Sequence, residues 1–117
     1  MTSLPSRTGE ILVLRVGGEV DLATLSVLEW ALASSIAHQP TYLVVDLARL
    51  EFCSARGMSM LFGAGVTAGE QGFGYAISNL PPHLERIWEA LWPDELPPRY
   101  RNAGTAIAAI GTRQAAD

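Results

Sequence analysis

Residues 43–62 read Leu-Val-Val-Asp-Leu-Ala-Arg-Leu-Glu-Phe-Cys-Ser-Ala-Arg-Gly-Met-Ser-Met-Leu-Phe, a strand pattern joined to a helix pattern through a corner of small residues. The mostly apolar run at 42–47 is typical of a strand covered by helices. The corner 54–57, Ser-Ala-Arg-Gly, precedes an almost wholly apolar segment of helical length, 58–68. This second helix is predicted to end near the glycines Gly69 to Gly72. Backbone N–H groups that open a helix have no partner within it, so the corner predicts a place for an anion or a partner's acidic group.

An earlier corner, 17–24, reads Gly-Gly-Glu-Val-Asp-Leu-Ala-Thr and follows the β-prone run 11–16. Glu19 and Asp21 lie two apart and would share one face of an extended strand. The residues leave two interpretations open. Either this is a solvated turn in which Asp21 or Thr24 caps the first helix, or it is part of a surface that binds a partner.

The first helix is predicted to begin near residues 24–26, because Ser26 and Glu29 have the spacing of a capping box. Residues 38–40, His-Gln-Pro, are expected to end it. Large apolar residues at helical spacing predict the inward stripes of three helices. These residues are Leu25, Leu28, Leu32 and Ile36, then Met58, Leu61, Phe62, Gly65 and Val66, then Leu84, Ile87, Trp88 and Leu91.

The second half of the chain predicts two further strands and a last small helix. Residues 74–78 form one strand, and 97–100 form an edge strand, because prolines are excluded from central strands. Pro81 and Pro82 favour a helix start, Pro93 ends that helix, and a small helix occupies about 104–110. The resulting order β-β-α-β-α-β-α-β-α predicts an α/β domain with helices packed on a mixed sheet.

Composition predicts one soluble domain. The 117 residues, 49% hydrophobic and 17% charged, suffice for a single core and exclude a disordered chain. The net charge of −4 argues against nucleic acid as a partner, because phosphate binding needs a clustered basic face. No apolar run approaches the ~20 residues of a membrane helix, and residues 1–9 lack a signal pattern. We therefore expect a cytoplasmic protein that binds no membrane.

The single cysteine, Cys53, invites the hypothesis of a cysteine enzyme, because a thiol beside Arg56 at a helix start has a lowered pKa. Cysteine phosphatases and rhodaneses, however, close an oxyanion loop with a more distant arginine. Here Arg56 comes three residues after Cys53, and Ser59 stands six residues after it. We therefore predict that Cys53 is a buried core residue and that the chain is not an enzyme.

Metal and aromatic sites find little support in the sequence. His38 and His83 stand alone, without a thiol or carboxylate at ligand spacing, so we predict no metal and no cofactor. Trp88 belongs to an apolar stripe and is predicted to lie in the core. Trp30 lies off the stripe of its helix and Trp92 lies at a helix end, so the exposure of both stays open.

Three segments, in their order and spacing, resemble the STAS domain of the bacterial anti-sigma factor antagonists. Members typically carry a G-E-[LV]-D-x-x-T segment, a V-[VL]-D-L strand and an F-x-D-S-S-G-L helix start. This chain has Gly-Glu-Val-Asp-Leu-Ala-Thr at 18–24, Val-Val-Asp-Leu at 44–47 and Phe-Cys-Ser-Ala-Arg-Gly-Met at 52–58. The likeness spans roughly residues 10–112.

The resemblance implies an α/β STAS fold over residues 10–112, a mixed β-sheet of about four to five strands with helices packed on it. Residues 1–9 would form a partly flexible N-terminal segment, and 113–117 a C-terminal tail. The implied function is to bind an anti-sigma factor, usually a serine kinase of the GHKL type, and so to free a sigma factor for transcription. The implied partner-binding residues are Glu19, Val20, Asp21, Ser54, Ala55, Arg56, Gly57 and Met58.

The chain departs from the family at the second corner. The family's aspartate falls at Ser54, its phosphate-accepting serine at Ala55, and its second serine at Arg56. In the family, phosphate on the corner serine adds about −1.5 to −2 charges to the interface and breaks the complex. Ala55 has no hydroxyl, so this switch is predicted to be missing. Ser54 is predicted to cap the second helix, and Ser59 to point elsewhere.

Arg56 is the least expected residue of this corner. A cation is unfavourable at a helix N-terminus by about 0.3–1 kcal/mol. We therefore hypothesise that Glu19, Glu51 or a partner's carboxylate holds it, with chance replacement as the rival explanation. A second function also stays open from the sequence, a non-enzymatic STAS sensor or scaffold that binds a small ligand or joins a larger assembly.

Overall fold

The computed structural model describes residues 6–8, 11–91, 98–102 and 104–109. Within these ranges the chain alternates strands and helices. In order they are β1 Ser6–Thr8, β2 Ile11–Arg15, β3 Gly18–Val20, α1 Leu25–Ala37, β4 Tyr42–Asp46, β5 Leu50–Cys53, α2 Ala55–Gln71, β6 Gly74–Ser78, α3 Pro82–Leu91 and β7 Arg99–Tyr100. Residues 104–109 are also helical.

Two sheets organise the strands. The larger has the order β1-β2-β4-β6-β7, in which β1 runs antiparallel to β2 and the other neighbours are parallel. The smaller is a parallel ribbon of β3 and β5. The predicted mixed sheet with packed helices is therefore confirmed, and β7 lies at its edge as its prolines predicted. Strands β1 and β5 were not predicted from the sequence.

The central strand β4 is buried on both faces, as its apolar run predicted. Leu43 and Val45 point to the main core, which α1, α2 and α3 cover. Val44 points to the opposite face, where it packs with Ala106 of the helical segment 104–109. Helices therefore cover both sides of the sheet.

Asp46 ends β4 and fixes the chain as it leaves the sheet for β5. Its Oδ1 accepts hydrogen bonds from Asn79 Nδ2 at 2.8 Å, from the Ala48 backbone N–H at 3.1 Å and from Ser78 Oγ at 3.4 Å. Arg15 Nε lies 3.7 Å from the other carboxylate oxygen. This buried carboxylate has several partners, as burial of a charge requires.

The predicted start of α1 is only partly correct. The helix begins at Leu25, but Ser26 and Glu29 form no capping box, because the residue before the helix is Thr24. The helix ends at Ala37, immediately before the predicted stop at 38–40.

The inward stripes are corrected at two positions. Val66 of α2 and Ile87 of α3 are exposed rather than buried. In α2 the buried face includes Ala64 and Ala68 instead, whose small side chains give a weak signal in the sequence. The predictions for Pro93, Trp92, the side chain of Leu91 and residues 113–117 lie outside the described residues.

Helix α2 is capped at both ends as predicted. Ser54 Oγ accepts a hydrogen bond from the Gly57 backbone N–H at 3.1 Å, which satisfies one free donor of the first turn. Gly72 ends the helix with φ of 82°, the left-handed conformation that favours glycine at this position.

The first turn of α2 lies very close to the ribbon of β3 and β5. A Cβ atom added at Gly57 would stand 2.7 Å from Cys53 Sγ and 2.7 Å from Val20 Cγ1. Only glycine therefore fits at this contact without a shift of its neighbours. In contrast, a Cβ at Gly63 of the same helix would meet nothing within 4 Å.

Gly57→Ala is expected to destabilise the fold by about 1–3 kcal/mol, the usual effect of overpacking a close contact. Gly63→Ala, the matched control, should be neutral or should stabilise the fold by up to about 1 kcal/mol through its helix propensity. Urea unfolding of both variants measures the difference. Equal stabilities would show that α2 does not depend on this close approach.

Candidate functional site

The structure brings the two predicted corners together. In the parallel ribbon, Glu19 pairs with Phe52 and Val20 pairs with Cys53, so both strands end at the same edge. Directly beyond that edge, the Ser54 backbone N–H donates to the Val20 carbonyl oxygen at 2.8 Å. The two corners, 19–21 and 54–58, therefore form one continuous surface, which we call the double corner.

The first corner is a hydrogen-bonded turn. Asp21 Oδ1 accepts from the backbone N–H groups of Ala23 at 3.0 Å and Thr24 at 3.2 Å. Thr24 Oγ1 donates to the Glu19 carbonyl oxygen at 2.8 Å and accepts from the Asp21 N–H at 3.0 Å. Asp21 and Thr24 thus hold the turn that precedes α1. The predicted cap is wrong, because Thr24 is the residue before the helix and no side-chain hydrogen bond caps it.

The predicted partner-binding residues divide into two layers. Val20, Gly57 and Met58 are buried and support the double corner from below. Glu19, Ala55 and Arg56 are exposed, and Asp21 and Ser54 are half-buried. The side chains of this second group are the ones that another protein can contact.

Arg56 is exposed and, within the part of the chain that the structure describes, it forms no ion pair or side-chain hydrogen bond. The expectation that Glu19 or Glu51 holds it is therefore wrong, although both carboxylates lie on neighbouring strands. No described residue therefore occupies the guanidinium group, which can pair with a carboxylate or other acceptor of a partner.

The sequence predictions missed two exposed apolar side chains beside the double corner. Leu22 follows Asp21 in the turn and is 81% exposed, and Phe52 is half exposed on β5. An apolar residue inside a polar turn was the signal for Leu22. The exposure of Phe52 could not be predicted, because the sequence did not predict strand β5, on which Phe52 lies.

The predicted direction of Ser59 also requires correction. Residues four apart in a helix share one face, so Ser59 lies on the same side of α2 as Ala55. Both residues are exposed. Ser59 is therefore a neighbour of Ala55, about one turn further along the helix.

Cys53 is buried as predicted, with 5% of its surface exposed. Burial raises the pKa of its thiol from 9.0 to about 11. The thiol is therefore protonated near neutral pH, which removes the basis of the cysteine-enzyme hypothesis, because the thiolate is the nucleophile. The described residues contain no group of three or more side chains able to hold a metal ion. None of the described helices is long and apolar enough to span a bilayer.

Comparisons with known proteins agree on one family. The family model described as "Mlab, STAS domain" matches residues 3–97 of this chain. The anti-sigma-F factor antagonist RsfB of Mycobacterium tuberculosis is 35% identical over 79 residues, which cover 63% of this chain. The match spans 65% of the length of RsfB, slightly less than two thirds.

Solved structures show the same fold. The crystal structure of an anti-sigma factor antagonist from Mycobacterium paratuberculosis has a TM-score of 0.78 at 26% identity, covering 93% of this chain and 92% of that one. The Bacillus cell fate determinant SpoIIAA, in its phosphorylated form, has a TM-score of 0.71 at 18% identity. That likeness covers 94% of this chain and 99% of SpoIIAA.

Cys53 is expected to react with iodoacetamide at pH 8 roughly 100-fold more slowly in the folded than in the unfolded protein, because each pKa unit is a tenfold change in thiolate. The labelling rate of the folded protein should rise up to a pH of about 11 rather than 9.0. The thiol's contribution to stability is present below the unfolded pKa and is lost as the pH rises toward the folded value. Equal labelling rates in the folded protein and in guanidinium would contradict its burial.

Proposed function

The chain belongs to the STAS domain family, and from this membership we propose that it is an anti-sigma factor antagonist. Such a protein binds an anti-sigma factor and thereby frees a sigma factor for transcription. The names of RsfB and of the Mycobacterium paratuberculosis structure support the proposal. It acts in the cytoplasm, through protein–protein contact rather than chemistry of its own.

The observation that carries the proposal is the double corner. Two loops distant in sequence meet at one edge of the β3–β5 ribbon, linked by the hydrogen bond from Ser54 to Val20. Side chains of both loops, Glu19, Ala55 and Arg56, are exposed there. Such a rigid, mixed polar and apolar surface suits the recognition of another protein more than the enclosure of a small substrate.

The proposed partner is an anti-sigma factor that is also a serine kinase of the GHKL type, and it contacts the double corner. Arg56 is the informative probe of this contact, because the residue is exposed and unpaired among the described residues. Asp21 is a poor probe, because its carboxylate holds the turn. A charge change at Asp21 would therefore alter the fold as well as the interface.

Arg56→Glu is expected to weaken partner binding by about 2 kcal/mol or more, because a like charge would face the carboxylate that the arginine pairs with. The partner is first recovered on the tagged protein from its native cell, identified by mass spectrometry, and purified for calorimetry. Arg86→Glu, on the exposed face of α3, is the matched control and should bind as the wild type does.

Wild-type affinity in Arg56→Glu would overturn the placement of the site. Recovery of a small ligand or a larger assembly, without a kinase-like partner, would instead favour the sensor or scaffold hypothesis. Both outcomes are distinct from unfolding, because neither arginine contributes to the core.

We also propose that the antagonist works without a phosphoserine switch at this corner. Phosphoryl transfer needs a hydroxyl nucleophile in line with the terminal phosphate of the nucleotide, and Ala55 has only a methyl group. Ser54 uses its hydroxyl oxygen to cap α2. Ser59 lies about one turn further into α2 than Ala55, and so away from the position that the resemblance gives to the acceptor serine.

Incubation with ATP and the cognate kinase should leave residues 54–59 unmodified, as measured by mass spectrometry of the digested protein. The Ala55→Ser variant supplies the missing hydroxyl and asks whether this atom alone prevents phosphorylation, while Ala55→Gly serves as its control without a hydroxyl. Stoichiometric phosphate on Ser54 or Ser59, with release of the partner, would refute the proposal.

A further inference from the structure

Helix α1 exposes large apolar side chains on its outer face, in addition to those that it buries on its inner face. Its inner side contributes Leu28, Ala31 and Leu32 to the core. On its outer side Val27 is 41% exposed and Trp30 is 64% exposed. The outer face also carries Ser26 and Glu29, so it is a mixed apolar and polar surface in which the two large apolar side chains stand out.

The other helices show that this composition is not general in the chain. The exposed side of α3 carries Glu85, Arg86 and Glu89, as expected of a helix that faces water. Helix α1 contains Glu29 as its only charged residue. A contiguous exposed apolar patch on a protein surface marks an interaction site, and Leu22, Val27 and Trp30 lie within nine residues of each other in the sequence.

The outer face of α1 is continuous with the double corner. Thr24, the residue before α1, bonds to the carbonyl oxygen of Glu19, so the turn and the helix form one rigid unit. Leu22, within that turn, is the first exposed apolar side chain. Trp30 then lies only ~8 Å along the helix axis from Leu25, at 1.5 Å per residue.

The double corner alone is small for a stable interface. A standard interface takes about 20–30 residues from each partner. The double corner has eight residues, of which Val20, Gly57 and Met58 are buried and add no contact area. Additional contact area must come from a neighbouring surface. Phe52 adds one exposed apolar side chain beside the double corner. Among the helices, the exposed Val66 of α2 lies ~16 Å along the axis from Ala55, so α1 offers the nearer exposed apolar side chains.

We propose that the anti-sigma factor partner extends its contact from the double corner along the outer face of α1, with Trp30 as the anchor. This inference rests on the proposed function and specifies the chemistry of the partner. The partner presents a largely apolar surface to Leu22, Val27 and Trp30, next to an acidic group for Arg56. Tryptophan and arginine are the side chains most enriched at the energetic centres of protein interfaces.

The test compares two exposed apolar residues on different helices. Trp30→Ala should weaken binding of the purified anti-sigma partner about 30-fold or more, the loss typical of a central interface residue. The matched control is Ile87→Ala, because Ile87 is 43% exposed on α3 and away from α1. It should change affinity less than twofold, and both variants should keep the wild-type melting temperature.

Two results would separate this inference from the proposed function. If Arg56→Glu weakens binding but Trp30→Ala does not, the antagonist function stands and the inference about α1 is wrong. If the wild type fails to bind any anti-sigma factor, both fail. A second copy of this chain could also cover the outer face of α1, and sedimentation of the isolated protein tests this. A dimer that dissociates in the Trp30→Ala variant would overturn the inference.

Discussion

The structure of the site depends on the parallel pairing of two very short strands, β3 and β5. Neither strand belongs to the main sheet, and each ends in a turn that leads into a helix. Their register, and the hydrogen bond from Ser54 to Val20, place both turns at one edge. Gly57 completes the junction, because any larger side chain would separate α2 from the ribbon. The surface proposed for the partner is therefore built by backbone pairing, and its exposed side chains are free to vary.

This arrangement separates residues that hold the double corner from residues that can contact a partner. Val20, Cys53 and Met58 lie beneath it and belong to the core. Asp21 points its carboxylate into its own turn, so it serves the backbone. Arg56 differs from all of these, because it lies at a helix N-terminus, where a cation is disfavoured by about 0.3–1 kcal/mol, and no described residue pairs with it. A cost of this kind, without compensation from any described residue, is what a binding residue would carry.

The sequence predicted the elements that depend on local signals. The apolar run at 42–47, the Ser54 cap and the glycine stop of α2 needed no tertiary information. The sequence-based predictions were wrong or incomplete where contacts between distant residues determine the structure. Strand β5 is too short and irregular to show alternation, since Glu51 and Phe52 are both exposed. The expected capping box of Ser26 and Glu29 does not form, and Thr24 instead forms hydrogen bonds with Glu19 and Asp21. The spacing of its leucines predicted which face of α1 turns inward, but the exposure of Trp30 stayed open, because a large apolar side chain off the stripe is compatible with either a covered or an exposed position.

On the proposed function, the corner differs in charge from the family's pattern, which has two serines where this chain has Ala55 and Arg56. A phosphorylated serine would add negative charge to the interface and repel an acidic group of the partner. Ala55 removes the acceptor, and Arg56 adds a permanent positive charge one residue later. On the proposed function, a partner that binds this chain must favour a cation at the corner in every state. A kinase whose contact surface is adapted to a serine that becomes phosphorylated would not need an acidic group opposite this corner. The two substitutions together therefore favour an exclusive partner, and specificity at this corner would follow from charge complementarity with Arg56 rather than from a modification that comes and goes.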